Sequence, residues 1–367
     1  MPRLSIESSS ATHVRLDGRE LTYFGGCGYL GLAHHARVVA AFAEGARRFG
    51  LSAGASRETT GNCVVYDQLE LDLARRLGQP AALLTPEGYT ANFVAAQALA
   101  RERQVALIDE RSHPSLFDAA RAAQLSTHAF PHGALDVLEK QLREHGARAV
   151  VMLDGVFPTR GEIAPLRQLA LLTAEHGAAL LVDDCHGTGV VGERGRGALE
   201  HHGVRDDHVV LTSTLSKALG CYGGFVTGPQ ALVDAARAHS QAYIGTTPAP
   251  PAAACAALEA LKLAFDDGAL LEQLRQNSAQ LRVGFHALGL PTPGKDVPVF
   301  AFALDSADTM RALHERLRER GIFAPYVHYL GSPSAGNFRI VVNAAHTREH
   351  IAALLSGLAG ALDRSLA

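Results

Sequence analysis

Basic residues are not in excess: 34 Lys and Arg stand against 37 Asp and Glu, for a net charge of -3 and a pI near 6.6. That balance excludes the electrostatic footprint of a nucleic-acid or anionic-membrane binder and leaves small molecules as partners. Cysteine is scarce. Cys27, Cys63, Cys185, Cys221 and Cys255 are odd in number and scattered, with no CxxC pair, which excludes a disulfide framework or zinc knuckle and fits reduced thiols in the cytosol. No apolar run approaches membrane-spanning length, and MPRLSIESSSATHVRL lacks the apolar core of a signal peptide, so a cytoplasmic location is expected. Internal repeats and low-complexity tails are also missing.

What is present is an ordinary globular composition over 367 residues, 47% hydrophobic and 19% charged, with 36 glycines. Residues 36–49 carry apolar positions at helical spacing and stop at Gly50. After the hydroxyl-rich SAGASRETTGN, short apolar runs (ALLT, VALID, THAF, AVVML, ALLVDD, VVLTST) alternate with helical patterns. Such alternation predicts an α/β fold with a largely parallel sheet covered on both faces. The pattern changes at GTTPAPPAAA. A smaller α+β domain is predicted over 246–367, following a large domain over 36–245.

The chemistry centres on LTSTLSKALGCYGGFVTG, residues 211–228, where Lys217 follows a buried strand and precedes Gly220, Gly223 and Gly224. Small neighbours and glycines leave room for a flat ligand, and a confined lysine is the residue that forms Schiff bases with pyridoxal phosphate. Asp183 and His186 sit at a strand end in LLVDDCHGTGVVG. There Asp183 is a candidate partner for a protonated pyridine nitrogen, with His186 meeting the ring from another side. Gly187, Gly189 and Gly192 also satisfy a GxGxxG dinucleotide pattern, but the polar ERGRGALEHHG that follows is not the long amphipathic helix such a loop opens. TPEGYTAN, a strand running into a glycine and a helix, is a natural phosphate cradle. His113 in SHPSL either stacks on a heteroaromatic ring or caps its helix. Arg339, alone in the apolar strand NFRIVVN, either holds a carboxylate or pairs with a local acid. SxxxK from Ser213 is one residue too long for a serine–lysine hydrolase. HHGVRDDH has no metal-ligand spacing, and no metal is expected.

With VDDCHGTGVVG, TLSKALG, GYTAN, His113 and Arg339 in this order, the chain resembles the α-oxoamine synthases, enzymes of the fold type I pyridoxal phosphate group. The resemblance runs from about Leu21 to AAHTREHI. It implies a homodimer with shared active sites and an N-terminal segment, 1–35, packed with the small domain. It implies pyridoxal 5'-phosphate as cofactor, with Lys217 as anchor and base, Asp183 as pyridinium partner, His186 at the phenolic oxygen and His113 on the ring. Gly88, Tyr89 and Thr214 would hold the phosphate, with Thr246 or Thr247 reaching over from the partner subunit. Arg339 would hold the amino-acid carboxylate, and Cys27 stands where the family has an asparagine beside that group. Tyr66, Glu87 and Pro158 likewise replace a family histidine and two serines. The implied reaction condenses a small α-amino acid with an acyl thioester, on coenzyme A or an acyl-carrier protein, usually with decarboxylation, to give an α-amino ketone. The same lysine and aspartate would also serve an aminotransferase, racemase or aldolase, or a cofactor-binding protein without turnover.

Overall fold

Runs such as VALID, AVVMLD and ALLVD place apolar side chains on both faces, so strands built from them need cover on each side. In the computed structural model, which describes residues 4–159, 161–328 and 335–362, they form the middle of a seven-stranded sheet. Its spatial order is Ala81–Thr85, Gly224–Gly228, Val209–Thr214, Ala179–Asp183, Ala149–Asp154, Val105–Asp109, Ser126–Phe130. Neighbours from Val209–Thr214 onward pair in parallel. Gly224–Gly228 runs antiparallel to both its neighbours. The strand STHAF, with four of its five residues exposed, is an edge, as its polar content requires.

The chain forms two compact units: 36–157 with 163–267, and the residues up to 35 with 158–162 and those from 268 onward. The helix Pro251–Phe265 therefore belongs to the larger unit, although the proline-rich GTTPAPP places the boundary at 246 when only the sequence is read. Packing explains the difference. The helix Ala36–Phe49 lies along Pro251–Phe265, and a Cβ on Gly45 would stand 2.8 Å from Ala252 Cα. Only glycine permits that approach.

Within the larger unit the helix Gly88–Leu99 lies against Ala81–Thr85, Gly224–Gly228 and Val209–Thr214. It buries Ala91, Val94, Ala95 and Ala96 in the core. In the smaller unit, Arg19–Tyr23 pairs antiparallel with His13–Leu16 and parallel with Ile322–Phe323. A second sheet sets Asn337–Val341 between Val299–Phe302 and Tyr326–Val327. The core there gathers Phe24, Phe285, Phe300 and Phe338. Among the described residues no helix is long and apolar enough to cross a membrane.

Candidate active site

Three neighbouring parallel strands of the larger unit end in aspartate: Val105–Asp109, Ala149–Asp154 and Ala179–Asp183. Open α/β sheets bind ligands at this edge. All three carboxylates are buried, and each has defined partners. Asp109 lies 2.9 Å from His132 Nδ1 and accepts the Arg111 N–H at 2.9 Å. Asp154 accepts the His113 N–H at 3.1 Å. Burial, then the charge of Asp183, hold the Asp154 carboxyl well above the usual carboxylate range.

Asp183 is fastened by a residue the sequence reading passed over. Asn92, in the helix Gly88–Leu99 and 0% exposed, donates to Asp183 Oδ2 at 2.7 Å and to Ser115 Oγ at 2.9 Å. Its own Oδ1 accepts from the Thr212 hydroxyl. The Cys185 N–H adds a bond to Asp183 Oδ1 at 3.0 Å. An amide is the side chain that can give to a carboxylate while taking from a hydroxyl. The only signal in the sequence was a polar residue followed by the apolar run FVAA.

Lys217 and His186 come together: Nζ lies 2.9 Å from Nε2. The glycines of the GxGxxG pattern do not open a long helix, since the next one, Ala198–His202, has five residues. Instead Gly187 and Gly197 fold around Asp184, a wholly buried acid that burial pushes up to about 8.

At TPEGYTAN the strand Ala81–Thr85 leads into the helix Gly88–Leu99. The helix Gly88–Leu99 starts with no side-chain cap from Glu87, so its first N–H groups are open to an anion. A Cβ on Gly88 would meet Thr214 Cβ at 2.8 Å, and one on Gly224 would meet the Glu87 carbonyl carbon at 2.3 Å. Thr90 Oγ1 and Ser112 Oγ are buried with no partner. The Thr214 hydroxyl lies beside Gly88, donating to the Gly223 carbonyl at 3.0 Å and accepting from the Ser216 N–H at 3.1 Å. Tyr89 keeps its phenol outward on Asp118. His113 caps its helix by accepting the Ser115 N–H at 3.2 Å, and burial lowers its ring below the usual imidazole value. The Thr246 hydroxyl donates to the carbonyls of Ala242 and Tyr243 at 3.0 and 3.2 Å, and Thr247 is exposed. An amine for an aldehyde, a carboxylate for a pyridine nitrogen, an uncapped helix start and an unpartnered buried hydroxyl together fit pyridoxal phosphate.

In the smaller unit Arg339 Nη1 donates to the Gly26 carbonyl at 3.0 Å, and Nη2 lies 3.7 Å from Cys27 Sγ. The Tyr29 phenol, 1% exposed, also bonds to this pair. Burial, then the Cys27 thiol, push that phenol well above its ordinary value.

Residues 23–358 match the family model for aminotransferase class I and II. The chain is 38% identical over 362 residues to a putative 8-amino-7-oxononanoate synthase of Desulforudis audaxviator, covering 98% of this chain and 94% of that one. It is 39% identical over 356 residues to the 8-amino-7-oxononanoate synthase of Halorhodospira halophila, covering 96% and 88%. Among solved structures, the serine palmitoyltransferase of Sphingomonas wittichii superposes with a TM-score of 0.92 at 27% identity, covering 98% of this chain and 91% of that one.

Proposed function

We propose, on the premise that this chain belongs to the aminotransferase class I and II family and within it to the α-oxoamine synthases, that it joins alanine to a seven-carbon dicarboxylic acyl thioester with loss of carbon dioxide. It is a pyridoxal phosphate-dependent acyltransferase that condenses an amino acid with an acyl thioester to give an α-amino ketone. The observation that carries the class of chemistry is Lys217 Nζ at 2.9 Å from His186 Nε2, beside a strand-end carboxylate that Asn92 holds at 2.7 Å. The substrate pair follows from the product named for the two relatives, 8-amino-7-oxononanoate. An amine on carbon 8 of nine leaves one methyl beyond it, the side chain of alanine. Carbons 1 to 7 are then the donor's diacid.

When bound, pyridoxal phosphate supplies an electron sink for the pair released at the amino acid's α-carbon. The chain's own residues do the rest. Lys217 anchors the cofactor through Nζ, and the same nitrogen takes the α-proton. Asp183, kept in place by Asn92, would pair with the pyridine nitrogen and hold a proton there. His186 Nε2 would serve the cofactor's phenolic oxygen, and His113, fixed by its cap to Ser115, would lie against the ring and exclude water. The open N–H groups of Gly88 and Tyr89 take the phosphate, with Thr214 beside them. Arg339, set between Gly26 and Cys27, receives the amino-acid carboxylate. The proposal includes a cytoplasmic homodimer in which Thr246 or Thr247 serves the partner subunit's phosphate site.

The test uses purified protein with pyridoxal phosphate and heptanedioyl-coenzyme A, offered alanine, glycine or serine, with free thiol release followed by a colour reagent. Fast release with alanine alone, absent in Lys217→Ala, is the expected result. Release that is fastest with serine would overturn the alanine assignment. A pyridoxamine form appearing on incubation with amino acid would replace the acyl transfer with transamination.

A further inference from the structure

Asp184 has no part in the reaction just described, yet it is 0% exposed and tightly enclosed. Its Oδ2 accepts from the Ala198 N–H at 3.1 Å and the Thr188 hydroxyl at 3.3 Å. Its main-chain carbonyl accepts from the N–H groups of Gly187 at 3.1 Å and Thr188 at 3.0 Å, and from Ser213 Oγ at 3.2 Å. Ser213 Oγ also bonds Thr188 Oγ1 at 2.9 Å, closing a ring of contacts. Cβ atoms built on Gly187 and Gly197 would stand 2.0 and 1.8 Å from the carboxylate oxygens, and one on Gly155 would stand 2.8 Å away. Three chain segments therefore give up their side chains to make room for this one acid.

His186 is inside the loop these bonds tie. Its backbone lies between Asp184, whose carbonyl takes the next two N–H groups, and Thr188, whose hydroxyl returns to the Asp184 carboxyl. The far end of the loop comes back to the same oxygen through Ala198. The backbone that carries an imidazole within hydrogen-bond distance of Lys217 Nζ is thus tied by a knot centred on its second neighbour.

We infer that Asp184 is a positioning residue for the reaction: through the loop it ties from its own backbone to Ala198 it sets the His186 ring against Lys217. The inference rests on Lys217 as the cofactor's anchor. A buried acceptor of this kind works by direction, so a small drift of the ring changes the chemistry more than binding.

The variants are Asp184→Asn, which keeps an accepting oxygen in place, Asp184→Ala, which removes it, and Thr188→Val, which removes the hydroxyl's bonds to Asp184 and Ser213 at nearly constant shape. Three quantities are read on the holoenzyme: the pH midpoint of the visible cofactor band, kcat with KM for the amino acid, and the melting temperature. Asp184→Ala is expected to move the band's midpoint toward that of His186→Ala, by about one pH unit. It is expected to lower kcat roughly tenfold to a hundredfold with KM little changed. Thr188→Val shifts both the same way by less, and Asp184→Asn restores both. An Asp184→Ala or Thr188→Val protein that melts lower but keeps the wild-type midpoint and kcat would show a purely structural acid and end the inference. If Asp184→Ala does not fold, Thr188→Val decides by the same two readings. The His186 ring signal in 15N-histidine spectra follows the displacement without reference to the band. A wild-type protein with no band would therefore count against the role of Lys217, while an unmoved ring signal would count against that of Asp184.

Discussion

Asp184→Asn should flatten the pH dependence of stability, and the size of the effect follows from burial. The folded acid titrates near 8 against an ordinary value of 3.8, so between those limits the native state holds a proton that the unfolded chain has lost. Where the native state binds more protons, stability falls as pH rises. The fall begins near pH 4, proceeds through neutrality and stops above about 8. Each unit of separation is worth about 1.4 kcal/mol, giving a ceiling of roughly 6 kcal/mol over the whole window and about 2 to 3 kcal/mol between pH 6 and 8. Asparagine cannot ionise, yet it offers an oxygen to the Ala198 N–H. The variant should therefore gain on the wild type as pH rises, and hold a constant lead beyond pH 8. With a urea m-value of about 3 kcal/mol/M, the gap between unfolding midpoints should widen by a little under about 1 M from pH 6 to 8. Midpoint curves that run parallel through this range would refute a neutral buried acid at 184.

Asn92→Ala leaves Asp183 Oδ2, the Thr212 hydroxyl and Ser115 Oγ without their shared partner. A cost of about 3 to 5 kcal/mol is expected in urea unfolding, together with weaker cofactor retention on dialysis. Gly88→Ala puts a methyl 2.8 Å from Thr214 Cβ at the start of the helix proposed to take the phosphate. Cofactor affinity should drop at least about tenfold by fluorescence titration, with the melting temperature of the cofactor-free protein changed much less. Arg339→Ala should raise KM for the amino acid by about a hundredfold, as loss of a charge-assisted contact to carboxylate does. An unchanged KM would remove the arginine from substrate binding.

Much of this was readable from the chain because strands buried on both faces have few ways to hide their ends. Asp183 directly follows the apolar run ALLV, with His186 three residues on, Lys217 comes three residues after the buried strand Val209–Thr214, and the helix Ala36–Phe49 ends where Gly50 stops it. What escaped reading depends on distant partners. Asn92 looks like one polar residue near the start of a helix until Asp183 and Thr212 are folded against it. Asp184 looks like a duplicate of Asp183 until Gly187 and Gly197 close over it. The same holds for the start of the second unit: proline marks a break in the chain, whereas the packing of Gly45 on Ala252 decides which side of the break the helix serves.

The reach of Asn92 also bears on how the molecule comes together. Its three partners are 23, 91 and 120 residues away along the chain, so no contiguous fragment shorter than that span holds the carboxylate in register. Loops of this length close slowly, and the contacts that reward closure arrive late. A nascent or refolding chain thus has a lysine long before it has a place to put a cofactor. Free pyridoxal phosphate added early in refolding should not hasten recovery. It can only trap molecules whose central strands have already been threaded side by side.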